Sequence, residues 1–425
     1  MMKFINYLMF QLIAKKNIFK RIFFTLIIIF LYVIGTNIPI PCLTKEQQEK
    51  ISPIFGIFST NSNYPLSLLS LGIIPYVTSS IIMQFASKIF SFLKEWEEQG
   101  DKGKYKLNLT SRFLTLFLSC GYGIAMVSSS AGWFVLTSKK LSNIVILEVI
   151  FFLVVGVFIC IWLADLITAK GIGNGVSILI AINISQEVFN TFSFLFNKEH
   201  PIAFLPKFLI LFCFLLLLIL TIILCSAYLK IPIFYYTSKS NDSKIDKTIP
   251  FKLNTTGVLP VILANSFMSI FNIVSQLSVE DGNFKKFVDR FLLISTRQNL
   301  GFSFFLYLSF ILLFSAFSIF MVINPHAVSE HLSKQDAYIE GIKPGEDTTF
   351  KITSELFKVN LISSVLLTLI AAIPDLVSYY MHFLYNISMP KLGGTSLLII
   401  VGVALECIQR MNVKTHLPSM YQNLF

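Results

Sequence analysis

Few side chains in this 425-residue chain combine a type and a spacing that could do covalent chemistry. His326 and His331 fall in a polar stretch between apolar runs and belong to no H-E-x-x-H pattern. Glu148, Asp165 and Glu406 stand towards the ends of apolar runs, and no run centre carries a paired charge. Ionisable groups within such runs usually mark ion or substrate routes, so this distribution argues against an ion-coupled transporter. Cys42, Cys120, Cys160, Cys213, Cys225 and Cys407 form no C-x-x-C and mostly lie in apolar runs, as small packing residues do. No enzyme, metal site or cofactor is expected. Gly171-Ile172-Gly173-Asn174-Gly175 is glycine-rich, but no βαβ unit surrounds it, so it reads as a helix start and not as a dinucleotide fingerprint.

What remains is non-covalent chemistry, carried by a repeated helix start. Gly72-Ile73-Ile74-Pro75 opens one apolar run and Gly257-Val258-Leu259-Pro260 another. Proline is tolerated in a first turn, where its missing N–H would be unpaired anyway. Gly175 and Gly393-Gly394 open two more runs. One and five positions after these glycines stand Ile73 and Val77, Val176 and Ile180, Val258 and Ile262, and Thr395 and Ile399. Residues at i and i+4 share a helix face, so four helices could aim compact apolar groups at one axis. An apolar constriction of that kind closes a pore by excluding water. The competing reading is ordinary packing or lipid contact, since Ile and Val fill every run.

These starts need membrane-spanning helices to position them. Hydrophobic residues make up 55% of the chain and charged residues 13%, with 43 phenylalanines. Soluble domains carry about 25% charged residues. Ten apolar runs fall near 20–39, 71–92, 112–132, 144–167, 174–195, 204–228, 257–276, 302–323, 356–373 and 393–411. Their length suits helices, since a span needs roughly 20 residues. The first run follows Lys15, Lys16, Lys20 and Arg21, lacks a small-x-small cleavage site, and reads as a retained span. The marked starts open runs two, five, seven and ten, which are equivalent positions in two halves of five, 1–199 and 200–425. Equivalent helices then run in opposite senses, the pattern of an inverted repeat. The expected fold is an all-α membrane protein of ten spans in two pseudo-symmetric halves.

The net charge of +11 does not point to nucleic acid, because the cations lie in loops. About two-thirds of the 34 Lys and Arg belong to the N-terminus, the even-numbered loops and the C-terminal tail. That side, with both termini, is the cytoplasmic or stromal one. Loops 93–111, 229–256 and 324–355 on that side are long enough to dock a soluble partner, and turn residues suggest that the last is folded.

Several collinear motifs resemble the SecY family. They are Leu71-Gly-Ile-Ile-Pro-Tyr-Val-Thr-Ser-Ser-Ile-Ile-Met-Gln84, Trp162-Leu-Ala-Asp-Leu-Ile-Thr-Ala-Lys-Gly-Ile-Gly-Asn-Gly-Val-Ser177, Lys252-Leu-Asn-Thr-Thr-Gly-Val-Leu-Pro260, Asn324-Pro325, Gly341-Ile-Lys-Pro-Gly-Glu346 and Gly393-Gly-Thr-Ser-Leu-Leu-Ile399. The resemblance runs from about Lys16 to Arg410. It implies a clamshell around a polypeptide channel, with an apolar ring at Ile73, Val77, Val176, Ile180, Val258, Ile262 and Ile399. It implies a plug within 52–62, at Ser52, Pro53, Ile54, Phe55, Gly56, Ile57 and Phe58, and a lateral gate with Thr78, Asn265 and Ser266. It implies docking of a SecA ATPase or a ribosome around Lys252, Lys343, Pro344 and Gly345. A SecE-type small subunit, a SecG-type subunit, preprotein substrates and lipid complete the implied partners. Lys343 replaces the family's usual Arg and loses its planar bidentate contacts. Ser240-Asn-Asp-Ser-Lys-Ile-Asp-Lys247 lacks the adjacent arginines often found there. An inverted-repeat secondary transporter is the alternative, and it needs a polar midplane site that the sequence does not offer. Abundant Lys, Asn, Ile and Phe favour a plastid thylakoid membrane over a bacterial plasma membrane.

Overall fold

A computed structural model describes residues 2–41, 67–136, 143–196, 204–235, 247–268, 302–385 and 394–416, apart from single positions at 255, 256, 266, 324, 336, 340 and 344. The plug stretch, Ser266 and Pro344 lie outside the described residues. The helices are α1 (Met2–Thr36), α2 (Ile74–Ile89), α3 (Ser91–Glu98), α4 (Asp101–Leu136), α5 (Asn143–Lys170), α6 (Gly175–Phe196), α7 (Phe204–Ser226), α8 (Phe302–Val322), α9 (Pro325–Lys334), α10 (Glu346–Tyr385) and α11 (Gly394–His416). A further helical stretch covers 259–265. The strands are β1 (Tyr228–Tyr235), β2 (Lys247–Lys252) and β3 (Ala337–Tyr338).

The helix exteriors are apolar. Phe19, Phe23 and Phe30 on α1 and Phe208, Phe212 and Leu215 on α7 are all exposed. Such a surface is stable against lipid, not water. Among the described residues, Phe19–Thr36, Ile146–Lys170, Leu205–Ser226 and Glu346–Met381 each have the length and composition to cross a membrane. Phe304–Ile319 and Ser396–Gln409 are shorter apolar helical stretches. Polar residues in the spans are tolerated because their hydroxyls bond to their own helices. Thr115 Oγ1 donates to Ser111 O at 2.7 Å and Thr368 Oγ1 to Ser364 O at 2.7 Å.

The chain divides into two compact units. Among the described residues, the first holds 2–41, 67–136, 143–193 and 403–416. Here α1 packs on α5, α2 on α4, and α4 on α5, with α3 against α2 and α4. A buried row along α5 (Leu153, Val157, Cys160, Ala164, Ile167) follows the helical repeat and faces the inside of the unit. Ser79 Oγ donates to Ser111 O between α2 and α4. Arg112 Nη2 meets Asp165 Oδ2 at 2.7 Å between α4 and α5.

Among the described residues, the second unit holds 194–196, 204–235, 247–268, 302–385 and 394–402. In it α8 and α7 pack on α10 around Leu217, Leu224, Val261, Ala264, Ile311 and Leu367. Asn360 Nδ2 donates to Ser315 O at 2.9 Å between α10 and α8, both groups buried. The helix α10 runs past the expected end of its apolar run at 373, through Pro374 and Asp375 to Tyr385. Pro374 removes one backbone N–H, yet flanking turns carry the helix through, as packed membrane helices allow.

Outside the spans the second unit is not all-α. Its strands form one sheet of order β2-β1-β3. The antiparallel β1–β2 pairing runs from Tyr228↔Lys252 to Ile233↔Lys247, and β1 meets β3 at Phe234↔Tyr338. The two polar loops are therefore joined through β1. They share a small core of Phe251, Ile319, Leu332, Ala337, Ile339 and Ile352, with Ile231 and Ile233 packed against it. His326 and His331 lie on the helix α9, not in an irregular loop.

Candidate functional site

The helix starts are built by backbone conformation and by side-chain caps. Gly72 has φ +55° and Gly257 has φ +63°, a left-handed conformation that disfavours any Cβ. These equivalent positions carry the same backbone device, and each is followed three residues later by proline at a helix start. In the Gly-Ile-Gly-Asn-Gly stretch the left-handed residue is Gly173, with φ +78°. Gly175 serves another need, because a Cβ there would collide with Ala164 O. Asn174 caps α6: its Oδ1 accepts from Val176 N at 3.1 Å. Thr168 Oγ1 accepts from Gly175 N at 2.9 Å. Thr25 Oγ1 accepts from Ile172 N at 3.2 Å, tying α1 to the same turn. Asn174 is a cap legible in sequence, whereas Thr168 and Thr25 act across the fold and carry no local signal.

In the first unit, Ile73 is fully buried in the core, and Val77, Val176 and Ile180 are partly buried against the same cluster. Val77 N bonds to Ile73 O at 3.1 Å, which sets these two side chains one turn apart. In the second unit, Val258 packs against the core of Leu397, Leu398, Val261 and Ala264. Ile262 N bonds to Val258 O at 3.2 Å, and Ile262 remains partly exposed. Ile399 is buried.

Thr78 is buried, and its hydroxyl donates to Pro75 O at 2.9 Å and Ile74 O at 3.2 Å. Asn265 is exposed and its side chain hydrogen-bonds Tyr307, a buried residue of α8. Lys343 is exposed on a turn whose backbone is fastened at several points. Lys343 O accepts from Thr348 Oγ1 at 2.9 Å, and Gly345 O accepts from Ser329 Oγ at 2.9 Å. Gly341 and Gly345, with φ +76° and +114°, shape the turn. Lys252 ends β2 on the same small domain, half-buried. On α9, Lys334 beside Glu330 holds that carboxyl below the usual carboxylate range. Among the described residues no group of His, Cys, Asp and Glu is arranged to hold a metal.

The SecY family model matches residues 67–408, which include every element just described except α1 and the end of α11. The chain belongs to the SecY family. It is 30% identical over 418 residues to protein translocase subunit SecY 1 of Lactobacillus kefiranofaciens, covering 93% of this chain and 94% of the relative. It is also 30% identical over 419 residues to the Staphylococcus aureus protein translocase subunit SecY, covering 94% and 95%. Its fold matches a solved SecY with a TM-score of 0.68 at 16% identity, covering 94% of this chain and 93% of the other. The canine Sec61 of a ribosome–channel complex matches with a TM-score of 0.61 at 16% identity and the same coverage. Membership fixes the architecture as the SecY fold, ten membrane helices in two inverted halves of five.

Proposed function

We propose that this chain is the channel-forming subunit of a protein translocase, a passive conduit for unfolded polypeptides across the membrane and, through a lateral gate, into it. One observation carries the reading: two left-handed glycines, Gly72 and Gly257, launch equivalent helices in a chain of the SecY family. Each helix presents apolar residues one and five positions later. The ring of Ile73, Val77, Val176, Ile180, Val258, Ile262 and Ile399 is our assignment of the seal, with Thr78, Asn265 and Ser266 at the gate and 52–58 as the plug. The two halves are 1–199 and 200–425. Apolar side chains exclude water and ions from a narrow closed pore, yet they offer an extended chain no fixed partner to bind. The channel does no covalent chemistry of its own, and a SecA-type motor or a ribosome supplies the work.

The small domain around Lys252 and Lys343 is our docking surface for that motor or ribosome. The Sec61 relative is described in a ribosome–channel complex, which supports the ribosome as one such partner. SecE-type and SecG-type subunits, preproteins and lipid are the remaining partners of this reading. We place both termini on the cytoplasmic or stromal side, from the distribution of Lys and Arg. The composition favours a thylakoid membrane, while the relatives named above favour a bacterial plasma membrane.

The test is ion conductance of the purified complex in planar bilayers. Replacing Ile180 and Ile262 together with Gly should raise resting conductance severalfold. Unchanged conductance would remove the ring assignment. Saturable uptake of a small solute would instead favour the inverted-repeat transporter.

A further inference from the structure

Among the polar contacts of the first unit, one joins a deeply buried hydroxyl of α1 to α6 beside the proposed ring. Tyr32 Oη on α1 donates to Asn183 Oδ1 on α6 at 2.6 Å. Tyr32 is only 1% exposed, and its neighbours in the cluster are apolar: Ile28, Leu69, Ile73, Leu163 and Leu179. The two residues stand 151 positions apart, so nothing local dictates the contact. Asn183 falls seven residues after Val176 and three after Ile180, on the same face of α6. The pair also closes on the turn that launches α2. A Cβ built on Gly72 would lie 3.1 Å from Asn183 Nδ2 and 3.6 Å from Tyr32 Oη. Gly72 immediately precedes Ile73, and Ile73 N-caps α2. The equivalent Gly257 of the second unit has no such neighbours among the described residues.

We infer that the Tyr32–Asn183 hydrogen bond is a latch that positions the first unit's half of the seal. It holds the face of α6 that bears Val176 and Ile180 against α1, and it braces the left-handed turn from which Ile73 and Val77 project. A buried hydroxyl held by a half-buried amide suits this task. Tyr32 can leave its partner only by exposing an unpaired polar atom to an apolar surrounding. The latch therefore favours one register between α1, α2 and α6, where apolar packing alone tolerates several. Tyr32 and Asn183 are positioning residues, since they act through Ile73, Val77, Val176 and Ile180. The inference rests on the ring assignment above.

The test compares Tyr32→Phe, Asn183→Leu and the double variant as purified complexes in planar bilayers. Preprotein transport per channel is measured beside conductance. Ile180→Gly with Ile262→Gly serves as the ring control. The latch predicts that each single variant raises resting conductance roughly three- to tenfold, the range set by one interhelical hydrogen bond. The double variant should leak no more than either single one, because all three lack the same bond. Transport per channel should be retained. A merely structural role would lower transport and leak together with the yield of folded complex, and that result would overturn the latch. So would wild-type conductance in Tyr32→Phe, or additive effects in the double variant. If Tyr32→Phe gives no folded complex, Asn183→Leu alone decides by the same split between leak and transport. A silent ring control would remove the ring itself, whereas a leaking control with a silent Tyr32→Phe removes only the latch.

Discussion

Asn360 Nδ2 and Ser315 O meet at 2.9 Å in the interior of the second unit and fasten α10 to α8. Both residues are buried, with Asn360 at 3% exposure and Ser315 at 1%. Neither belongs to the ring, the gate or the docking surface that we propose. Their contact ties one helix to another, where Thr115 and Thr368 bond within their own helices.

Truncating that contact should destabilise the unit. Asn360→Ala leaves α8 without its cross-helix donor and opens a small void. The expected loss is about 1–3 kcal/mol. Thermal unfolding of the purified complex in detergent should move down, while Asn360→Gln, if it regains the bond, should recover part of the loss. An unchanged melting temperature in Asn360→Ala would contradict the role.

The two kinds of glycine should respond differently to alanine. Gly257 has no neighbour within 4 Å of a built Cβ among the described residues and a φ of +63°, so Gly257→Ala should meet mainly backbone strain, about 1–2 kcal/mol. Gly175→Ala would drive its methyl group into Ala164 O and must push α6 away from α5. Gly175→Ala should therefore be the more damaging in yield of folded complex and in melting temperature. The reverse order would show that the α5–α6 approach is more compliant than its geometry implies.

The small domain should be separable from the pore. Leu332 is buried in its core at 6% exposure, and Leu332→Ala should cost about 2–5 kcal/mol locally. Hydrogen exchange in β1 and β3 should accelerate, and binding of a motor or ribosome should weaken. Resting conductance should stay at the wild-type level. A rise in conductance would mean that the domain also supports the seal.

Much of this was legible in the sequence, for physical reasons that differ by element. Spans announce themselves because lipid demands long apolar runs. The helix starts announce themselves because glycine and proline have conformational needs that no neighbour can replace. Asn174 could be read as a cap from its place before α6, but which glycine turns left-handed could not, and it is Gly173. The sheet is not legible in the sequence, although residues 228–234 of β1 alternate exposed and half-buried at the period of a strand. The partner β3 of that strand lies in another loop, and its partner β2 follows in the same loop only after a lysine-bearing polar stretch that carries no tight-turn signal. The extension of α10 through Pro374 and Asp375 was hidden by the very residues that normally end a helix. The pairs Tyr32–Asn183 and Ser315–Asn360 join positions 151 and 45 apart, and only the folded chain brings them together.

The most direct test of the account is a crosslink from a translocating chain. Ile262→Cys would be placed in a background without the six natural cysteines, with Phe212→Cys on the exposed face of α7 as the control. A preprotein arrested in transit and carrying one cysteine along its extended segment would then be oxidised with each variant. The account predicts a strong adduct at Ile262→Cys and none at Phe212→Cys. Equal adducts at both positions, or none at Ile262→Cys while the preprotein is held in transit, would contradict a polypeptide path lined by that residue.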